Sequence, residues 1–477
     1  MNWPINWEKC SVSDVAEVFL GKTPKKSQYL SEGNNKIIKF RDIKQGQVDF
    51  DNNKEGFVLN DSNLLKSLRR LNLNDILITS AAHSGENIGK KCAIVKNMPE
   101  KYANFYFTGE LLNIRSCSDE SLAKWLYFFF SSKMGLKEIQ KAVSGVHLTS
   151  GRAKSMQIVI APDKERDRIV AKLEKLLAKV DQAQARLEKI PGILKQFRMA
   201  VLAAACSGGL TREWRLKKHN QDRDGSPDAP VDWEEHKIKD LSHYVTSGSR
   251  GWAKYYSDKG PYFIRAQDIK ADSLNLENAA HVELPEHIEG KRTKVQKGDI
   301  LVTITGANVT KTALVDSDIG EAYVNQHVAL IRPKDTGLSE YLYLWIVSPK
   351  HGRQKLLKDA YGAGKPGLNL DNIRTISVNI PPAEERELIT ERTRQLFQIA
   401  DQLDHRYQKA KTHIDHLTQS ILAKAFRGEL VPQDPNDEPA SELLKRIKAG
   451  KARQEAESKP NRKPKAKKGR ASKKAAV

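Results

Sequence analysis

The chain has 477 residues, 39% hydrophobic and 29% charged, too many for one small core and enough for two to four folding units at ~150 residues each. Lys and Arg number 80 against 59 Asp and Glu, a net charge of +21, so an extended polyanion, nucleic acid foremost, is the favoured partner. The most apolar run, Trp125 to Phe130, is too short to span a bilayer and the start MNWPINWEK lacks a signal peptide's apolar region; no membrane partner and a cytoplasmic location are predicted.

Charge is unevenly spread. Residues 445–477 hold 14 Lys and Arg and two Glu, a net +12 that leaves +9 for the rest; this Lys-, Ala- and Pro-rich tail reads as disordered. Cys10, Cys92, Cys117 and Cys206 lie far apart with no Cys-x-x-Cys and no nearby His pair. Buried free thiols are therefore expected rather than disulfides or a zinc site, and no metal site is predicted.

An internal repeat organises the chain. IIKFRDIK (37–44) aligns with FIRAQDIK (263–270) at an offset of 226, which Trp7-Glu8 and Trp233-Glu234 share. NDILIT (74–79) meets GDILVT (298–303), and Gly85, Asn87 and Lys90 meet Gly306, Asn308 and Lys311. From Leu148 and Leu368 the offset settles at 220, where IAPDKERDRIV (160–170) matches IPPAEERELIT (380–390) and LAAACSGGL (202–210) matches LAKAFRGEL (422–430). The chain is a tandem duplication of about 220 residues, and two copies suit a pair of similar targets better than a solenoid does.

In chain order, the first globular segment is 1–160, with strand patterns such as DILITS and a helical patch at Leu122 to Phe130. After Pro162 a heptad helix spans 161–210, its seam running through Ile169, Leu173, Leu176, Val180, Ala183, Leu187, Ile190, Leu194, Phe197 and Val201. Pro191-Gly192 should kink or break it near the middle. Residues 211–231 are polar, with Asp, Gly and Pro, as a linker would be. The second globular segment, 232–380, repeats the pattern with DILVTIT, TISVNI and a helical patch at Tyr341 to Val347. The second helix, 381–430, carries its seam at Ile389, Thr393, Leu396, Ala400, Leu403, Tyr407, Ala410, Ile414, Leu417 and Ile421, and has Lys411-Thr412 where the first has Pro-Gly, so it should run straighter. Residues 431–477 form a C-terminal segment ending in the basic tail. The predicted fold class is α/β: two α/β domains joined by two long helices in an antiparallel coiled coil, a pseudo-twofold duplication.

Catalytic constellations are missing from the pattern. Gly362-Ala-Gly-Lys365 is too short for a phosphate loop and is followed by Pro366. Pro381-Pro382 is preceded by Ile, not by the Asn or Asp an amino-methyltransferase needs. Pro227-Asp228 with Glu235-His-Lys237 is a loose nuclease-like set without a counterpart in the first copy. Residues fit to read DNA instead recur at turns between strands. In the first copy these are Arg41, Lys44, Ser80, His83, Ser84, Asn87 and Lys90, then Ser144, His147, Thr149 and Arg152. In the second they are Arg265, Gln267, Lys270, Thr305, Asn308 and Lys311, then Lys365, Asn369 and Arg374. Arg, Lys, Asn and Gln suit bidentate base or phosphate contacts. A solvated surface is the plain alternative for each one; recurrence in both copies favours the set.

Two globular segments, each followed by a heptad helix, resemble the specificity subunit of type I restriction-modification systems. IAPDKERDRIVAKLEKLLAKVDQAQARLE and PPAEERELITERTRQLFQIADQLDHR are similar to that family's repeated helical regions, and SGGLTREWR (207–215) and FRGELVPQDPNDEPASELLKRI (426–447) to the segments that follow them. The resemblance implies two target recognition domains, each reading one half of a bipartite, asymmetric sequence in double-stranded DNA. It implies helices that set the spacer, the 33-residue seam from Ile169 to Val201 measuring about 50 Å. It also implies two modification subunits that carry S-adenosylmethionine and methylate adenine, and restriction subunits that use ATP and magnesium. No cofactor is expected in this chain, which would be non-enzymatic. The extension after Gly450 departs from the family pattern. The competing reading is a non-enzymatic coiled-coil scaffold with two protein-binding domains.

Overall fold

The computed structural model describes residues 3–52, 56–219, 230–248, 250–285, 290–362, 364 and 366–458. The basic tail from 459 onward, and Asp228 of the nuclease-like set, lie outside them. By contact the chain divides into two units: one holds the described residues up to Ala185 together with those from Lys411, the other Arg186–Ala410. Each unit thus contains one globular segment, the first part of its own helix, and the later part of the helix from the other copy.

In the first unit a four-stranded antiparallel sheet places Leu111–Ser116 between Ala16–Leu20 and Ile76–Thr79, with Cys92–Ile94 at the edge. The second unit repeats it, with Val328–Pro333 between Ser242–Ser247 and Ile300–Thr303, and Thr312–Leu314 at the edge. The repeated phrases NDILIT and GDILVT now have a physical explanation. Asn74 and Gly298 hold φ of 63° and 90°, a left-handed turn that Gly and Asn accept most readily. The following Asp immediately precedes the strand and is buried: Asp75 accepts from the Asn72 N–H at 2.7 Å and from Arg115 at 2.7 Å, and Asp299 from the Gln296 N–H at 2.8 Å and from Arg332 at 2.7 Å. A desolvated carboxylate is tolerated there because each oxygen has a donor.

A second, smaller sheet in each unit contains a parallel pair, Asn35–Ile38 with Asn104–Phe107 and Tyr256–Ile264 with Ala322–Val324. The apolar helix patches expected from the sequence are the Glu120–Ser131 and Ser339–Val347 helices. Each is pinned by a tryptophan, Trp125 donating to the Val159 carbonyl at 2.8 Å and Trp345 to that of Ser377 at 2.9 Å.

The first spacer helix is broken as Pro191-Gly192 predicts: it runs Asp163–Leu187 and resumes as Ile190–Cys206 with the proline in the first turn. The second runs unbroken over Ala383–Ala425. Within the second unit the helices pack antiparallel, since Arg198 pairs with Asp401 at 2.6 Å while the Leu210 carbonyl accepts from Arg392 and Glu385 pairs with Arg215. Ile169, Leu173, Val180, Leu194, Val201, Ile389, Thr393, Ala400 and Tyr407 are buried. Leu176, Leu187, Ile190, Phe197, Leu396, Ala410, Ile414 and Ile421 are partly buried, and Ala183 is exposed. Leu403 and Leu417, placed in the seam by heptad spacing, are instead 43% and 38% exposed. A strict 3.5-residue count drifts against the 3.6-residue turn and carries such positions off the packed stripe.

The 211–231 segment differs from a plain linker, because it opens with a helix, Arg212–His219. The physical reason lies in Glu385, which is buried and accepts from Trp233 Nε1 at 3.1 Å, from Thr211 Oγ1 at 2.6 Å and from Arg215. The first unit has the matching arrangement: Glu165 accepts from Trp7 Nε1 at 3.0 Å and Gln433 Nε2 at 3.3 Å. Burial pushes the Glu165 carboxyl above its ordinary value, and the Trp7 hydrogen bond opposes this. The Ala440–Ser458 helix packs on the first globular segment, its Ala440 N–H donating to Asn6 O at 3.0 Å and Lys451 to Ser13 O at 2.6 Å. Ordered structure therefore reaches beyond residue 445, where the low-complexity tail was expected to begin.

Cys10, Cys92 and Cys206 are buried, and burial pushes their thiols up to about 12. Among the described residues no helix is long and apolar enough to cross a membrane. The closure of the first unit by the far end of the chain is directly testable. Phe426 is fully buried, with ring centroids 4.8 Å from Trp125 and 5.3 Å from Phe129. Phe426→Ala should destabilise that unit by about 3–5 kcal/mol, read as a fall in the urea midpoint of Trp fluorescence; an unchanged midpoint would show that the contact is dispensable.

Candidate nucleic-acid interface

Three loops meet in the first unit. The loop after the Ile76–Thr79 strand carries Ser80, His83, Ser84, Asn87 and Lys90, and it is held to the Ser144–Arg152 loop by Leu148 N–H donating to the Ser80 carbonyl at 2.8 Å and by the Ala81–His147 bridge. The third loop, with Arg41 and Lys44, is tied in by Lys91 Nζ donating to the Phe40 carbonyl at 3.1 Å. The second unit is built alike. Leu368 N–H donates to the Ile304 carbonyl at 2.8 Å, Thr305 bridges Gly367, and Asn308 Nδ2 donates to the Ala266 carbonyl at 3.1 Å. The copies therefore share a backbone link between two of the loops and a side-chain tie to the third, and the residues scattered in sequence at 41–44, 80–90 and 144–152 come together, as do those at 265–270, 305–311 and 367–374.

The frame separates presenters from supports. Arg41, His83, Ser84, His147, Gln267 and Lys270 are exposed, as side chains that meet a ligand would be. Ser144 and Arg152 are exposed too, Arg152 reaching the Val143 carbonyl at 3.4 Å. Lys44 is exposed but engaged by Asp49 at 3.0 Å and Asn52 at 2.6 Å, and Lys90 donates to Asn87 at 3.0 Å. Thr305 and Lys311 are half-buried.

Several other expected readers are structural. Ser80 is buried and donates to the Gly109 carbonyl at 3.2 Å. Thr149 and Asn369 are helix caps, accepting from Arg152 N at 3.4 Å and Asn372 N at 2.8 Å. Asn308 braces the Ala266 turn, and Arg374 donates to the Val245 carbonyl at 2.7 Å and to Asp371 at 3.0 Å. Arg265 folds back on Asp268, with contacts of 3.0 and 3.1 Å, and on the Asn278 carbonyl at 2.8 Å. Short polar side chains and Arg next to an Asp satisfy local backbone before they reach outward. Lys365 lies outside the described residues.

The sequence reading missed the turn at Thr108–Leu111, to which Ser80 is fixed, and the buried carboxylates Glu165 and Glu385. The latter pair was legible, since both sit at the 220 offset in the aligned phrases beginning at 160 and 380. The division between presenters and supports predicts that Arg265→Ala, which strips the buried Asp268 of its guanidinium, lowers stability by about 1–3 kcal/mol. Gln267→Ala should leave the thermal midpoint unchanged; equal effects on the two midpoints would refute the division.

Comparison with known proteins agrees with this architecture. The model of the type I restriction modification DNA specificity domain matches residues 4–191 and 230–411. The chain is 34% identical over 361 residues to the EcoBI specificity subunit of Escherichia coli, covering 72% of this chain and 76% of that one. It is 29% identical over 472 residues to the EcoKI specificity subunit of E. coli K12, covering 94% and 96%. The fold is shared with a chain from a structure of the type I R-M system, at a TM-score of 0.63 and 16% identity over 90% of this chain and all of that one. It is shared also with the HsdS subunit of Thermoanaerobacter tengcongensis, at a TM-score of 0.51 and 16% identity over 90% and 98%. Duplicated recognition units, paired helices and these matches show that the chain belongs to the specificity subunits of type I restriction-modification systems.

Proposed function

We propose that each unit reads one half of a bipartite, asymmetric DNA sequence through its three-loop face, and that the chain itself carries out no chemistry. The observation that carries this reading is the repetition of one loop frame in both copies with different side chains on it: Arg41 in the first where Gln267 stands in the second, and His147 where Gly367 stands. A shared frame gives a shared mode of approach, and different side chains give different base preferences. The helices set the spacing between the halves.

Two modification subunits dock on the helices, where Ile399 and Leu403, one turn apart on the Ala383–Ala425 helix, are 49% and 43% exposed, an apolar pair suited to a protein partner. Restriction subunits complete the assembly. S-adenosylmethionine, ATP and magnesium belong to those partners, and a chromosomal target places the complex in the cytoplasm.

Replacing residues 1–160 with the corresponding segment of another family member should change one half of the methylated motif and preserve the other, read by sequencing modified DNA from cells supplying the partner subunits. Changes in both halves would contradict modular reading.

A further inference from the structure

A second set of cations lies outside the residues aligned by the repeat. In the first unit the chain leaves the Ala16–Leu20 strand at Gly21, whose missing Cβ would lie 2.1 Å from the Thr108 carbonyl oxygen. Only glycine allows that approach. The loop that follows carries Lys22, Lys25 and Lys26, all exposed, and it is held firmly. Thr23 Oγ1 accepts from Gly109 N at 3.1 Å, Lys25 N donates to Gln28 Oε1 at 2.8 Å, and Leu59 N donates to the Gln28 carbonyl at 3.1 Å.

Gly109 is also the residue that receives Ser80, so one turn fixes both this loop and the 80–90 loop. The lysine loop therefore borders the three-loop face. Lys39, which stands beside Arg41, lies over the Tyr29 ring at 4.5 Å, and the two line a cleft of about 510 Å³ with Lys26. Lys22, Lys25, Lys26 and Lys39 form no ion pair among the described residues. Among the described residues the nearby acids, Asp42, which accepts from the Lys39 N–H at 2.8 Å, Glu110 beside Tyr29 and Glu32 beyond the Tyr29–Leu30 strand, form no ion pair with these ammonium groups.

The second unit repeats the device with different residues. Gly248 ends the Ser242–Ser247 strand with its missing Cβ 1.9 Å from the Val324 carbonyl oxygen, and exposed Arg250 and Lys254 follow. Trp252, 5.8 Å from Phe263 and 5.5 Å from Tyr323 by ring centroid, anchors that turn. Asp258 and Glu283 are the nearby acids in sequence, and neither pairs with Arg250 or Lys254 among the described residues.

From this geometry we infer that the two post-strand loops are phosphate clamps: Lys22, Lys25, Lys26 and Lys39 in one unit, and Arg250 and Lys254 in the other, grip the DNA backbone beside each half-site without reading bases. The inference rests on the DNA-reading function proposed above. Lysine ammonium groups are mobile point charges suited to phosphate, and the guanidinium of Arg250 pairs with phosphate equally well. A glycine-pinned loop delivers them at a fixed place along the groove. These contacts supply affinity and salt dependence, and the neighbouring loops supply choice.

The test uses the full chain assembled with its modification subunits and a fluorescent duplex carrying the motif that the wild-type complex methylates. Binding is titrated from low to moderate salt. Combining Lys22→Ala, Lys25→Ala and Lys26→Ala should reduce the magnitude of the log K against log salt slope by about 2–3, at roughly 0.9 per lost phosphate contact, with the methylated motif unchanged. The triple Lys→Arg variant at the same positions should restore the wild-type slope. An unchanged slope in the alanine variant would overturn the clamp, as would a changed motif, since the lysines would then be reading bases. A wild-type complex without sequence preference would overturn the DNA-reading proposal itself, and is distinguished by needing no variant to appear.

Discussion

A buried glutamate at the head of each spacer helix is the constraint on which the rest of the structure depends. Glu165 and Glu385 each accept an indole N–H, from Trp7 and Trp233, and a second donor from the segment that follows the other copy's helix, Gln433 and Thr211 respectively. An unpaired carboxylate in such a place would cost several kcal/mol, so each unit is complete only when a segment from the other copy has returned to it. The duplication is thereby locked into an interlaced pair, with the described residues from Lys411 belonging with the first globular segment and the Ile190–Cys206 helix with the second. The sequence order of the repeats and the spatial grouping of their parts differ for this reason.

That interlacing explains what could be read in advance. The repeat, the helix break at Pro191-Gly192 and the two apolar helices were legible because they rest on local periodicity and backbone chemistry: a missing N–H at Pro191, a 3.6-residue apolar stripe in Leu122 to Phe130. The meaning of the NDILIT and GDILVT phrases was not, because the burial of Asp75 and Asp299 depends on Arg115 and Arg332 from neighbouring strands. The exposure of Leu403 was hidden for a related reason: heptad spacing specifies an idealised stripe, whereas this helix packs against the Ser339–Val347 helix of the globular segment as well as the other long helix.

At the candidate interface the loops singled out from the sequence do come together in each unit, but many of their polar side chains are engaged within the fold. Arg265, Asn308, Asn369 and Arg374 carry chemistry that could read a base, yet each is spent on a nearby carboxylate, carbonyl or helix end. For Asn308 and Arg374 the commitment could not be inferred from residue type, because the partners Ala266 and Val245 are distant in sequence, whereas Arg265 and Asn369 are spent on Asp268 and Asn372, three residues on. These commitments also have a use. Supports that hold the loop frame let exposed side chains that the frame does not use, such as Arg41, His83 and Gln267, change without loss of it.

The central claim is that this chain chooses the sequence its partners act on. Genome-wide mapping of adenine methylation, in cells expressing the chain with its modification subunit and in cells lacking only the chain, tests it most directly. The account predicts a split motif, two defined halves around a fixed unspecified spacer, present in the first cells and lost in the second. A motif that persists without the chain, or an active modification subunit that yields no chain-dependent motif, would contradict it.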